Sequence, residues 1–203
     1  MTIKTKPVLV FDVDSVLLDW CFGFFSFLRE EGYCTRHVDH LLGKTEFIPT
    51  NQITKIDCKD TNRQLAKKFS DTDWLTRLPL FQEDGVEHVQ SLTDKYDIVV
   101  LTCIGETEDI INKRTQNLIE HFGDIFLEII CIDYGKSKEH HLRELSSKYN
   151  VVGFTDDKES HLEESIRAGV KPLLFSRGVE VSTEAQEKYT VISCLSEVEL
   201  NVA

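Results

Sequence analysis

From residue 83 to residue 175 the chain alternates between helix-length amphipathic segments and short, continuous apolar runs. The runs are Ile98-Val99-Val100-Leu101, Ile129-Ile130-Cys131-Ile132, Val151-Val152-Gly153-Phe154 and Leu173-Leu174-Phe175, with Val8-Leu9-Val10 ahead of them near the N-terminus. Helical spacing between them is carried by Val86, Val89 and Leu92, by Ile111, Leu118 and Phe122, and by Leu142 and Leu145. A run without polar alternation buries both faces of its strand, and strands linked by helices lie parallel. The pattern predicts an α/β fold: a Rossmann-like parallel sheet covered by helices on both faces. Ligands of such sheets bind beyond the carboxyl ends of the strands, and the polar clusters of this sequence fall there.

The first strand, about 8–13, ends in Asp12-Val13-Asp14. Carboxylates at i and i+2 lie on one side of an extended chain and converge where the strand ends. Held together they repel, unless a cation or a shared proton intervenes, and a divalent, oxygen-loving metal is the usual answer. Asp19 then opens a helix with Trp20, Phe24, Phe27 and Leu28 on one face, ending near Glu31-Gly32. From 33 to about 60 the pattern is weak, broken by Gly43 and Pro49, and 61–69 is helical again. Residues 19–80 are therefore expected to form a small, mostly helical cap inserted after strand one. The catalytic core is then 1–18 plus 81–203. Gly169 suits a left-handed helix cap, and after Phe175 a soft tail is expected.

The 203 residues suffice for one sizeable core, alone or with a small appendage. The net charge of −12 argues against a polymeric nucleic acid, which needs clustered Lys and Arg, but leaves room for one nucleotide. No run reaches membrane-spanning length, and Met1-Thr2-Ile3-Lys4-Thr5-Lys6-Pro7 leads into the first strand without a cleavable apolar segment, so no membrane is expected. Cys21, Cys34, Cys58, Cys103, Cys131 and Cys194 include no Cys-x-x-Cys pair and are read as reduced thiols of a cytoplasmic protein. Oligomeric state is open, a homodimer included.

Four strand ends supply one chemistry. Asp12 and Asp14 close the first, Thr102 the next, Lys136 or Lys138 follows the third, and Asp156 and Asp157 close the fourth. This is a phosphoryl-transfer set: a carboxylate to attack phosphorus, a second to move a proton, a hydroxyl and a cation for the phosphoryl oxygens, and carboxylates for a metal.

The ordered set resembles the haloacid dehalogenase (HAD) superfamily, and its Asp-x-Asp spacing resembles the phosphatase branch. The likeness extends to the 5'(3')-deoxyribonucleotidases. Asp12-Val13-Asp14-Ser15-Val16-Leu17-Leu18-Asp19-Trp20 resembles their opening motif, Leu78-Pro79-Leu80-Phe81-Gln82-Glu83-Asp84-Gly85-Val86-Glu87 their return from the cap, and Thr155-Asp156-Asp157-Lys158-Glu159-Ser160 their Ile-Asp-Asp-Lys-Asp-Thr. The resemblance implies a Mg²⁺-dependent phosphomonoesterase acting on a small phosphorylated substrate, a nucleoside or deoxynucleoside monophosphate. It implies Asp12 as nucleophile, forming an aspartyl-phosphate, Asp14 as acid and base, and Thr102 and Lys138 (Lys136 as alternative) on the phosphoryl oxygens. The metal would be held by Asp12, the Asp14 main-chain carbonyl and Asp157, with Asp156 through water. Trp20 stands where the family lines its base pocket. Two departures are Ser15, where most relatives have Gly, and Cys103 after Thr102, where the family has Ser; Ser15 strains the turn if φ is positive there.

Plainer readings stand beside these. Asp19 serves equally as an N-cap; Phe24, Phe25 and Trp74 read as packing; His140, His141 and His161 read as solvated helix residues, His161 with a lesser reading as a group touching the metal's outer shell. Cys103 is expected to offer substrate its backbone N–H rather than a reactive thiol. The rivals in function are a phosphatase for another small ester, such as a sugar phosphate or phosphoglycolate, and a non-catalytic binding or regulatory protein of the same fold.

Overall fold

Six parallel strands order as β3-β2-β1-β4-β5-β6 in a computed structural model that describes residues 6–41 and 50–202. They are β1 (Val8–Phe11), β2 (Asp97–Cys103), β3 (Phe126–Ile132), β4 (Val151–Asp156), β5 (Pro172–Phe175) and β6 (Thr190–Ile192). The order reverses beside β1: β2 and β3 extend the sheet to one side, and β4, β5 and β6 to the other. That switch point sets the ends of β1 and β4 next to each other, with Phe11 in register with Thr155 and Asp12 N–H donating to Thr155 O at 2.8 Å.

Alternation along each strand sorts two apolar layers. Val8, Val10, Val99, Leu101, Phe154 and Leu174 pack on one face. Helices α6 (Glu139–Lys148), α7 (Glu159–Ala168) and α8 (Thr183–Lys188) cover that face through Leu142, Leu145, Leu162 and Ala185. Leu9, Phe11, Ile98, Val100, Leu173 and Phe175 pack on the other. It is covered by α1 (Trp20–Glu30), α4 (Gly85–Leu92), α5 (Glu108–Phe122) and α9 (Val198–Val202). Each fully buried Val, Leu, Ile or Phe contributes about 1.5–3 kcal/mol, so the near-continuous apolar strands dictate the two-sided cover.

Between β1 and α4 the described chain is helical: α1, a 3-10 turn (Arg36–Leu41), α2 (Thr50–Thr54), α3 (Lys59–Ser70) and a second 3-10 turn (Asp73–Thr76). Asp19 is the N-cap of α1, accepting from Phe22 N–H at 2.9 Å. Among the described residues the insertion has no core of its own. Phe24, Phe27, Leu65 and Phe69 join the same apolar cluster as Leu9 and Phe11, with Trp20 stacked on Phe24 at 4.5 Å between centroids. The two chain crossings pair with each other, Asp19 N–H to Pro79 O at 2.9 Å and Phe81 N–H to Leu17 O at 3.0 Å.

Two sequence expectations need correction. The stretch 33–60 is not patternless, since Arg36–Leu41 and Thr50–Thr54 are helical; both are too short to show a period. Gly43 and Pro49 lie outside the described residues. The segment after Phe175 is not a soft tail: it carries α8, the edge strand β6 and α9, anchored by Tyr189, Ile192, Leu195 and Val198 in the core. Gly169 caps α7 in the left-handed conformation, φ +78°, as its position predicts. No helix among the described residues is long and apolar enough to cross a membrane.

Candidate active site

The loop leaving β1 is wound tightly. Val13 O accepts from Leu17 N–H and Leu18 N–H, both at 2.9 Å, and Ser15 N–H donates to Leu18 O at 2.8 Å. This geometry puts Ser15 at φ +66°, the left-handed region where a side chain is strained. In return Asp12 and Asp14 point into one site.

Asp12 is 2% exposed. Lys138, at the N-terminus of α6 and fully buried, sets its ammonium 2.8 Å from Asp12 Oδ1 and 2.7 Å from Asp156 Oδ2. The Asp12 contact is an ion pair, not an aligned hydrogen bond, which at this separation of opposite charges hardly weakens it. Burial opposes the lysine's charge, but the two carboxylates outweigh it and raise its pKa. Asp156 is the reverse case. Burial pushes its pKa up, yet Lys138 and the His161 ring, whose Nδ1 lies 2.9 Å from Oδ2, hold it well below the usual carboxylate range. Its Oδ1 accepts from Lys158 N–H at 2.8 Å, so protein groups engage both oxygens. Lys136, the alternative cation, is exposed.

Asp157 has a different environment. Its side chain is 2% exposed, Arg177 Nη1 lies 3.1 Å from Oδ2, and Oδ1 is buried without a hydrogen-bond partner. Burial and the neighbouring Asp156 push its pKa up to about 7. Thr102 is fully buried in β2 with its hydroxyl likewise unpartnered. Buried polar groups are rarely left so, and Asp157, which borders a cavity, is where a ligand would complete one. Asp12, Asp156 and His161 offer ligand atoms within 4.8 Å of one another, but the Lys138 ammonium already bridges the two carboxylates. The unpartnered oxygen of Asp157 is the better place for a metal.

Above these groups opens a cavity of about 530 Å³. Its core-side lining includes Asp14, Cys103, Tyr134, Asp157 and His161; the insertion adds Trp20, Thr50, Asn51, Asp57, Asn62 and Arg63. Asp12, Thr102 and Lys138 lie outside that lining, each 2% exposed or less. The insertion is tied to the loop before α6. Arg63 donates to Tyr134 O and packs over Gly135, whose φ of +74° leaves room where a Cβ would come within 2.9 Å of Arg63 Nη2. The Tyr134 hydroxyl meets Ser70 Oγ at 2.8 Å.

Trp20 and Cys103, read as substrate-side residues, both border the cavity. Burial pushes the Cys103 thiol up to about 12, which disfavours a thiolate. Trp74 is turned away, its indole N–H on Glu30 at 2.7 Å. His161 is a correction: it is not solvated but borders the cavity and contacts Asp156, because the first turn of α7 folds back over the end of β4. Arg114 escaped the sequence reading altogether. It is fully buried on α5 and donates through Nη2 to Asp14 Oδ1. The available signal was a cation on the helix face of Ile110, Leu118 and Phe122, where an apolar residue is expected.

The fold is that of solved structures described as haloacid dehalogenase-like hydrolases and phosphatases. A Clostridium difficile protein described as a candidate phosphatase superposes with a TM-score of 0.69 at 15% identity, covering 98% of this chain and 100% of that one. A haloacid dehalogenase-like hydrolase from Streptococcus pneumoniae gives 0.66 at 14% identity over 98% and 99%. The HAD-type protein YfnB from Bacillus subtilis, in a structure bound to magnesium, gives 0.65 at 11% identity over 98% and 99%. In sequence, an uncharacterized 32.4 kDa protein of Enterobacteria phage T4 is 25% identical over 188 residues, 91% of this chain and 67% of its own length. No family model matches.

Proposed function

We propose that the protein is a magnesium-dependent phosphomonoesterase that works through an aspartyl-phosphate and takes a nucleoside or deoxynucleoside monophosphate. The observation that carries this reading is the buried Asp12–Lys138–Asp156 bridge at the sheet's switch point. A buried carboxylate held 2.8 Å from a fixed ammonium is aimed, which suits a nucleophile. Asp12 attacks phosphorus; Asp14 protonates the leaving oxygen and then takes a proton from the water that hydrolyses the acyl-phosphate. Proton transfer of this kind contributes roughly 10²–10⁴-fold. The Thr102 hydroxyl and the Lys138 ammonium meet the phosphoryl oxygens.

Magnesium fits the donor set. Asp12 and Asp157 offer carboxylate oxygens, one of them buried and unpartnered, and the Asp14 main-chain carbonyl completes the protein's share. The ion would supply charge neutralisation, letting an anionic phosphate enter among four carboxylates. Residues 19–80 act as the cap that selects the rest of the substrate.

The cavity has the size of a nucleotide site, and the indole of Trp20 and the ring of Tyr134 offer it stacking surface. Beyond Trp20 the insertion contributes polar groups, from Thr50, Asn51 and Asp57, which favours a sugar phosphate as the second reading. Phosphate release from nucleoside monophosphates, sugar phosphates and phosphoglycolate, with Mg²⁺ or EDTA, separates the two. Asp12→Asn is expected to abolish turnover of every substrate. Turnover that survives Asp12→Asn or EDTA would overturn the mechanism, and ligand binding without any turnover would favour a regulatory protein.

A further inference from the structure

We propose that Arg114 is a positioning residue for phosphoryl transfer: by binding Asp14 Oδ1 from beneath, it leaves Oδ2 as the oxygen presented to the leaving group. The proposal rests on the reading above, in which Asp14 moves the proton. Arg114 heads the fully buried side chains by volume, and its guanidinium donates through Nη2 to Asp14 Oδ1. Among the described residues Asp14 is its one ion-pair partner, while Nε and Nη1 are buried without hydrogen-bond partners. A cation placed inside the core is expensive unless matched, so a fold that keeps one here uses it for what it touches.

The support is rigid. On the same helix Leu118 and Phe122 are fully buried, Asn117 donates to Leu78 O at 3.2 Å, and His121 Nε2 lies 2.8 Å from the same carbonyl. Asp14 itself is 16% exposed at the side chain and borders the cavity. One oxygen is therefore fixed by a group on a packed helix and the other remains for substrate. Lys158, the other cation near Asp14, is exposed and cannot impose an orientation.

The reaction uses that oxygen twice. As Asp12 forms its bond to phosphorus, the bond from phosphorus to the ester oxygen breaks and its electron pair stays on that oxygen. The proton on Asp14 Oδ2 moves to it. In the second half a water gives its proton to Asp14 Oδ2 while its oxygen bonds to phosphorus. The bond to Asp12 breaks, freeing inorganic phosphate and the original carboxylate. A misplaced Oδ2 harms both halves, and it harms the first only where the leaving oxygen needs a proton.

The test uses that distinction. Single-turnover release is measured with a nucleoside monophosphate, whose alkoxide must be protonated, and with p-nitrophenyl phosphate, whose phenolate leaves without a proton. Arg114→Met is expected to slow the nucleotide by about 10²-fold and the aryl ester by less than about tenfold, with Arg114→Lys recovering part of the difference. In an Asp14→Asn background Arg114→Met should change neither rate further. Equal losses on both substrates, or no loss, would overturn the proposal. If Arg114→Met does not fold, the charge-conserving Arg114→Lys carries the same comparison, since one point donor replaces the fork. A wild-type protein inactive on both esters would overturn the phosphatase reading, and the proposal with it. An active wild type with an unchanged ratio would overturn the proposal alone.

Discussion

Asp157→Asn should make the metal-free protein more stable while destroying its activity. The Asp157 side chain is 2% exposed with Oδ1 unpartnered, and burial together with Asp156 lifts its pKa to about 7 from 3.8. The folded carboxyl thus keeps its proton to higher pH than the unfolded one. Between about pH 4 and 7 the folded state binds more protons, and stability falls as pH rises. Above pH 7 the full cost is present: about three units at about 1.4 kcal/mol each, or roughly 4 kcal/mol. Asn removes that cost but weakens the contact with Arg177, so the expected gain at pH 8 in EDTA is about 2–3 kcal/mol. For a chain of this size that is a rise in Tm of roughly 5–10 °C. At pH 5 the wild type has regained most of the difference, and the gain should shrink to near zero. Thermal melts at both pH values, with EDTA or Mg²⁺, measure all of this; Mg²⁺ should raise the wild-type Tm at pH 8 and leave the variant's unchanged. The reasoning fails if Asp157→Asn is destabilising by the same amount at both pH values, or if Mg²⁺ stabilises both proteins alike.

Ser15→Gly relieves a residue at φ +66°. The left-handed conformation costs about 1–2 kcal/mol and glycine's extra unfolded-state freedom returns about 0.4–1, so a net gain of about 0.5–1 kcal/mol is expected in urea melts, with activity within about twofold. A loss of stability would mean that the serine side chain supports the turn. Lys138→Met leaves Asp12 and Asp156 facing each other without a cation; a loss of about 3–5 kcal/mol at pH 7 is expected, with phosphate release down by at least about 10²-fold. Because the folded pKa of Asp156 is depressed, its contribution is complete above the usual carboxylate range and is lost below it, so the gap between wild type and Lys138→Met should narrow in acid. Trp20→Ala should raise KM for a nucleoside monophosphate by roughly tenfold or more and leave p-nitrophenyl phosphate within about threefold. Equal effects on both would assign Trp20 to packing on Phe24 alone.

The sheet was legible because its strands are unbroken apolar runs and their ends carry the only closely spaced carboxylates that follow such runs. Asp12, Asp14, Thr102, Lys138 and Asp157 could be nominated from that rule. Arg114 is not nominated by it and His161 only as a lesser, outer-shell reading, for different reasons. Arg114 sits on the apolar face of an amphipathic helix, where one cation among apolar positions is a weak signal until the partner beneath it is known. His161 follows Asp156 by five residues, and only the backward fold of α7 over its own strand brings the two within 2.9 Å. The C-terminal strand was missed because Thr190–Ile192 is three residues long, too short to show alternation.

The same physics divides the site between two kinds of surface. Asp12, Lys138 and Asp156 are buried and hold each other at ion-pair distances, so no one of them can change without leaving an unmatched charge. The insertion's lining residues Asn51, Asp57, Lys59 and Arg63 are exposed, where substitutions usually cost within about 0.5 kcal/mol. Chemistry is thereby fixed by stability and substrate choice is free of it. The two meet at one loop. Tyr134 and Gly135 receive Arg63 from α3, and three residues later the chain delivers Lys138 to Asp12. The segment that meets the insertion is thus the one that carries Lys138. The Arg63 and Lys67 contacts to this loop are exposed and weak, about 1 kcal/mol or less each, whereas Phe24, Leu65 and Phe69 bury their side chains against the sheet's own core. Adjustment to substrate therefore falls on the rim formed by α2, the start of α3 and the 133–138 loop, while the aromatic base of the insertion stays fixed to the sheet.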